Sequence, residues 1–272
     1  MRVEPIEDLQ DPRVAVYRHV KDSMLRDAHG LFVVESRLCV RRLLTESRFS
    51  VRSILVTDAA FEGLRDVLAK LGDETPVYVA RQALLANVIG YNLHRGCIAV
   101  AERGAATALG EILAAGPRLL VGLEGVANPE NVGNVFRNAV AFGADAVLLS
   151  TGCADPLYRK AIRVSMAGTL RTPFARLAVW PHAISQLRAA GFTTVALSTN
   201  SRSVDLMELG RSSPHSGRIA LILGAEGEGL EQATLQAADL VVQIPMSPAV
   251  DSLNVATACG VALHHCFGLL EP

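Results

Sequence analysis

Arg118-Leu119-Leu120-Val121-Gly122-Leu123 leads, four residues later, into Asn128-Pro129-Glu130-Asn131-Val132-Gly133-Asn134-Val135-Phe136-Arg137-Asn138-Ala139. The first stretch is short and apolar without alternation, so it reads as a strand buried on both faces. The second reads as a polar turn opening a helix over 131–142. The same succession recurs down the chain, with buried strands over 146–149, 193–197, 219–223 and 240–244 and helices over 156–167, 183–190, 230–237 and 254–267. Continuous apolar strands that alternate with helices call for a parallel sheet covered on both faces.

Upstream, Leu31-Phe32-Val33-Val34-Glu35 is a strand candidate, followed by a helix over 36–46 with Leu38, Val40, Leu43 and Leu44 as its apolar positions. Further strands are expected over 53–57, 76–79 and 97–100, with a helix over 61–71. This alternation makes residues 1–103 a small α/β domain. The polar and small run Glu102-Arg103-Gly104-Ala105-Ala106-Thr107 makes 104–116 a linker, and 117–272 the second domain.

Composition excludes several classes. Half of the 272 residues are hydrophobic and 19% are charged, which excludes a disordered chain. No apolar run approaches the roughly 18 residues that cross a bilayer, and Met1-Arg2-Val3-Glu4-Pro5 lacks a signal-peptide core, so the expected compartment is the cytoplasm. Cys39, Cys97, Cys153, Cys259 and Cys266 are far apart and lack Cys-x-x-Cys spacing, so free buried thiols are expected and no metal. The net charge of -1 announces no nucleic-acid partner. Only Lys21, Lys70 and Lys160 are lysines, so 23 of the 26 basic residues are arginine. That bias suits phosphate contacts, and it equally suits a GC-rich genome.

Ligands of open α/β sheets sit at the carboxyl ends of the strands, and three strand exits here are unusual. They are 128–139, the loop Gly224-Ala225-Glu226-Gly227-Glu228-Gly229-Leu230, and the stretch Ile244-Pro245-Met246-Ser247-Pro248-Ala249-Val250-Asp251-Ser252-Leu253-Asn254-Val255. The glycines do not space as a dinucleotide fingerprint, and no Gly-Lys-Ser/Thr follows a glycine loop. A Rossmann dehydrogenase and a P-loop NTPase are thereby disfavoured.

In this order, the three segments resemble the motifs of the SpoU (TrmH-like) branch of the SPOUT RNA methyltransferases. Asn131, Gly133, Arg137 and Ala139 fit the first motif, Gly224-Ala225-Glu226-Gly227 with Gly229 the second, and Ile244-Pro245-Met246 with Ser252-Leu253-Asn254-Val255 the third. The first half more loosely resembles the substrate-binding domain that often precedes this catalytic domain. The resemblance implies a trefoil-knotted α/β catalytic domain, S-adenosylmethionine as methyl donor, a ribose 2′-hydroxyl of ribosomal or transfer RNA as acceptor, and a homodimer. The chain departs from the common pattern at Ser36, where a Gly often follows the Glu, and in Ser165-Met166-Ala167-Gly168.

A ribose hydroxyl is a poor nucleophile at neutral pH, so methyl transfer gains from a cation that stabilises the developing alkoxide. Arg137 is the candidate, with Asn131 read as the cap that starts its helix. Glu226, Ser252 and Asn254 complete the catalytic candidates. Glu226 could orient the amino group of the cofactor, contact RNA, or bond to backbone at a dimer interface. A cofactor slot needs small residues for close approach, apolar walls and main-chain polar groups, and Gly224, Gly229, Ile244, Met246 and Leu253 suit it. Leu197, Ser198 and Thr199, after another strand, are candidates for the same slot. For RNA, Arg159, Lys160 and Arg163 form a basic run, and Arg37 and Arg41 share a helix face. The competing function is a non-catalytic RNA-binding or ribosome-assembly protein of the same fold. Such a decayed enzyme would be expected to lose Arg137, Asn254 or the glycine loop, and all are present.

Overall fold

The computed structural model describes residues 1–18, 22–90, 96–199, 203–210 and 217–270. The chain divides into two compact units, Met1–Ala105 with Leu157–Arg171, and Ala106–Pro156 with Thr172–Pro272.

In the first unit the chain runs β1 (Arg2–Ile6), α1 (Asp22–His29), β2 (Leu31–Glu35), α2 (Arg37–Glu46), β3 (Val51–Val56), α3 (Asp58–Leu68), β4 (Pro76–Ala80), α4 (Gln82–Ile89) and β5 (Cys97–Glu102). The sheet order is β1-β4-β3-β5-β2. β1, β4 and β3 are parallel, and β5 runs antiparallel to both β3 and β2. The four strands and two helices expected here are present. β1, α1 and α4 are additional, and β1 escapes a pattern search because it contains Pro5 and buries only Ile6. Ser36 caps α2 by accepting from the Cys39 amide while holding φ at 79°, a left-handed conformation that explains the glycine common at this position.

The second unit begins with α5 (Leu109–Ala114), β6 (Leu119–Glu124), α6 (Pro129–Ala141) and β7 (Ala146–Ser150). Next come α7 (Arg159–Val164) and α8 (Gly168–Arg171), which belong to the first unit. The second unit resumes with β8 (Phe174–Leu177), α9 (Trp180–Ala189), β9 (Thr193–Leu197), β10 (Val204–Asp205), β11 (Ile219–Gly224), α10 (Gln232–Ala237), β12 (Leu240–Gln243) and α11 (Val255–Leu270). Its strands form one parallel sheet in the order β10-β12-β9-β11-β6-β7-β8. β6 shows why its run is unbroken by polar residues. Leu119, Val121 and Leu123 join the core layer that holds residues of α6 and α11, and Leu120 faces the layer that holds residues of α5 and α9. Between them Gly122 leaves room for Trp180, whose ring would stand 3.0 Å from an added Cβ.

Two expectations about organisation change. Residues 104–116 are no bare linker, because α5 places Leu109 and Ile112 in a core layer of the second unit. The helix expected over 156–167 is shorter and, with α8, packs in the first unit against β2 and α2. There Arg159 bonds to Asp22 (2.8 Å) and Glu35 (3.1 Å), and Cys39 donates weakly to the Ile162 carbonyl. Tertiary pairing of this kind, between residues more than 100 positions apart, leaves no local signature.

Candidate active site

β12, β9 and β11 are neighbours in the sheet, and a cleft opens where their carboxyl ends lie side by side. Its cavity volume is about 160 Å³. Leu197, Ser198 and Thr199 enter it from β9, Gly224, Glu226 and Gly229 from the loop after β11, and Ile244 and Met246 from β12. Ser252 and Leu253 close it just before α11. The eight proposed cofactor residues thus share one cleft. Leu223, Gln243, Val255 and Ala258 line it as well and were not singled out, although Gln243 ends an otherwise apolar strand.

The glycine loop is built by contact. A Cβ on Gly224 would lie 2.2 Å from the Gly229 carbonyl, so no other residue fits without moving the loop. Gly229 returns its amide to the Ala225 carbonyl at 3.0 Å, and Gly227 and Gly229 hold positive φ. The glycines therefore bring bare backbone, without side chains, to the cleft wall. The walls are apolar, at Leu197, Leu223, Ile244, Met246 and Leu253, and among the described residues Glu226 alone lines the cleft with a charge. Among the described residues neither Lys nor Arg lines the cleft, and its apolar walls with one carboxylate suit a ligand with an apolar body and a cationic or neutral polar end.

Asn254 joins the three motifs. Its Nδ2 donates to Asn131 Oδ1 at 3.0 Å and to a Glu226 carboxylate oxygen, and its Oδ1 accepts from the amides of Ala256 and Thr257 as α11 begins. Both Asn254 protons and its oxygen are thereby committed. Asn138 adds a second tie between α6 and α11, donating to the Ala256 carbonyl at 2.7 Å.

Asn131 is not the cap of α6. That place belongs to Asn128, whose Oδ1 accepts from the Glu130 amide at 2.8 Å, with Pro129 as the first helical residue. Asn131 sits a turn inside and buried, which aims its side chain at Asn254. Arg137 is exposed on the same helix, outside the cleft lining, and no hydrogen bond or ion pair holds its side chain among the described residues. The RNA candidates differ from one another. Arg159 is tied to Asp22 and Glu35, and Arg41 forks onto Asp66, whereas Arg37 and Arg163 are exposed with no ion pair among the described residues, and Lys160 is exposed.

Glu124 was not anticipated at all. It ends β6 with 6% exposure, accepting from the Thr234 hydroxyl at 2.9 Å and the Glu231 amide at 3.3 Å. Burial holds its carboxyl above the ordinary range, against the lowering effect of those two bonds.

Among the described residues no group of three His, Cys, Asp or Glu is placed to hold a metal, the five cysteines are free and buried, and no helix is long and apolar enough to cross a membrane. Residues 118–264 match the SpoU rRNA methylase family. An uncharacterized tRNA/rRNA methyltransferase of Mycobacterium bovis is 41% identical over 266 residues, 96% of this chain and 91% of that protein. The 23S rRNA (guanosine-2′-O-)-methyltransferase RlmB of Vibrio cholerae is 32% identical over 68% of this chain and 74% of its own length. The crystal structure of an AdoMet-bound rRNA methyltransferase from Sinorhizobium meliloti superposes with a TM-score of 0.83 at 24% identity, covering 99% of both chains, a likeness of fold.

Proposed function

The chain belongs to the SpoU rRNA methylase family, and from that premise we propose which of its residues carry the S-adenosylmethionine-dependent methylation of a ribose 2′-hydroxyl in ribosomal or transfer RNA. The observation that carries the assignment is the hydrogen-bonded series Glu226–Asn254–Asn131 beside an apolar cleft that Glu226 itself lines. The fit to S-adenosylmethionine is chemical. Gly224 and Gly229 allow close backbone approach, Leu197, Ile244, Met246 and Leu253 provide apolar walls, Ser198 and Thr199 offer hydroxyls, and the Glu226 carboxylate suits a cationic ligand. Bound there, the cofactor supplies an electrophilic methyl group on a sulfonium.

The chain's own residues do the rest. Arg137 places a cation where negative charge grows on the ribose oxygen, favouring the transition state over the bound substrate. Asn254 holds Glu226 and Asn131 in fixed positions and has no proton left for the substrate. Ser252, exposed at the cleft edge, offers a hydroxyl to the ribose. Arg37 and Arg163 meet phosphates, with Lys160 beside them, while Arg41 and Arg159 would first have to leave their carboxylates.

A homodimer is part of the proposal. α11 carries no Asp, Glu, Lys or Arg, and Thr257, Val261, His264 and Phe267 lie on its exposed side, with Val261 44% and Phe267 38% exposed. The trefoil knot and the cytoplasmic compartment implied by the family belong to the same reading. Two measurements test it. Calorimetry with S-adenosylhomocysteine is expected to show binding, and absence of heat at millimolar ligand, with and without RNA, refutes the cofactor assignment. Light scattering is expected to give a dimeric mass that Val261→Asp reduces to a monomer, and a wild-type monomer at micromolar concentration refutes the assembly.

A further inference from the structure

Glu124 meets both ends of the glycine loop. Its backbone lies opposite Gly224 in the β6–β11 register, where the loop begins, and its carboxylate accepts from the amide of Glu231, where the loop ends and α10 starts. The other carboxylate oxygen takes the hydroxyl of Thr234, a residue with no exposed surface in the first turn of α10. Residues 224–227 and 229, between these two anchor points, line the cleft. Among the described residues no cation faces the carboxylate, so its burial is an unfavourable arrangement for stability alone. A methionine of similar volume would fill the same place without a buried charge.

We infer that Glu124 is a positioning residue for the cofactor: it clips the entry and exit of the 224–231 loop together and so sets the shape of the cleft wall. It acts through Glu231 and Thr234 and touches neither cofactor nor RNA. The inference rests on the cofactor reading of the cleft given above. Its consequence is a split between binding terms. Loosening the clip weakens cofactor binding, whereas the chemical step on bound cofactor and the docking of RNA depend on other residues.

The test uses the full-length protein, with S-adenosylhomocysteine titrated by calorimetry and methylation followed with S-adenosylmethionine and RNA varied in turn. Glu124→Met keeps the volume and removes both acceptors. It is expected to raise the dissociation constant and the KM for S-adenosylmethionine about tenfold, leaving kcat and the KM for RNA within about twofold. Glu124→Gln keeps the shape and, with its amide turned, accepts from Glu231 and donates to Thr234, so it is expected to stay within about twofold of wild type. Thr234→Val removes one bond and gives an intermediate loss of about threefold, which carries the test where Glu124→Met does not fold. Asp145→Ala is the control for general destabilisation. Asp145 accepts from the amides of Arg118 and Leu119 at the opposite end of β6, and its loss is expected to lower Tm without weakening the cofactor. Unchanged affinity in Glu124→Met and Thr234→Val overturns the inference, as does an equal loss in Asp145→Ala. Glutamine as poor as methionine overturns the hydrogen-bond account. Wild-type protein that binds no S-adenosylhomocysteine overturns the cofactor reading itself and this inference with it, so the two failures are distinguishable.

Discussion

In the first unit Arg13, Arg41, Arg159 and Arg171 each reach a carboxylate of the same unit, whereas on α6 of the second unit Arg137 stands exposed with none among the described residues. Arg176, also in the second unit, gives its protons to the carbonyls of Ser150, Thr151, Cys153 and Ala154, binding the loop after β7. An arginine already paired must leave its partner before it can help a phosphate, and the exchange gains little net free energy. A count of cations along the chain therefore overstates the surface available to RNA, and the contrast sorts the arginines into those that hold the fold and those that act.

The largest effect that would sharpen this division is on chemistry. Arg137→Ala is expected to slow single-turnover methylation at saturating RNA by about 100-fold or more with cofactor affinity nearly unchanged. Recovery of the rate at low salt would place Arg137 among the docking residues and break the contrast. Next comes a stability effect in the first unit. Arg159→Ala removes one cation from the partly buried Glu35 and Asp22, and is expected to cost about 2 kcal/mol in urea unfolding. Little change in stability combined with a marked loss of RNA affinity would move Arg159 to the acting group.

Smaller effects are expected of the unpaired cations. Arg37→Ala and Arg163→Ala should each weaken RNA binding a few-fold, lower the salt slope by about 1, and leave Tm unchanged. Filter binding at several salt concentrations measures this, and an unaltered slope would remove either residue from the interface. The smallest effect concerns backbone strain in the turn between α7 and α8, where Met166 and Ala167 both hold positive φ, at 52° and 63°. Met166→Gly relieves a left-handed conformation that costs an L-residue about 1–2 kcal/mol, less the extra chain entropy of glycine, for an expected gain of about 0.5 kcal/mol. A loss in stability of that size would show that the Met166 side chain contributes more than its backbone costs.

What could be read from the residues follows the range of the interactions. Apolar runs such as 119–123 and 219–223 announce strands because burial on both faces removes every polar residue from them, and the cleft residues follow from being next in the chain. β8 is hidden because it is a four-residue edge strand containing Arg176, and α5 because its six residues lie within a small, polar stretch. The start of α6 was readable in Asn128-Pro129, a cap followed by proline, and placing it at Asn131 overlooked that pairing. Glu124 extends an apolar strand by one residue and finds its partners 107 and 110 positions away, so no local pattern marks it. The same holds for Arg159, whose partner Asp22 is 137 positions upstream.

The placement of Leu157–Arg171 with the first unit sets an order of events during synthesis. Residues 1–105 leave the ribosome early, yet the helices that cover β2 and α2 of that unit are made only after α5, β6, α6 and β7 of the other. At translation rates of about 5–20 residues per second the first unit waits several seconds for its last piece. Its Arg159 partners, Asp22 and Glu35, stay without their cation through that interval. The first unit is thus begun first and completed only after part of the second has been made, although still ahead of the second, whose chain continues from Thr172. A nascent chain halted before residue 157 is expected to leave α2 open to protease, and one released after residue 171 to protect it.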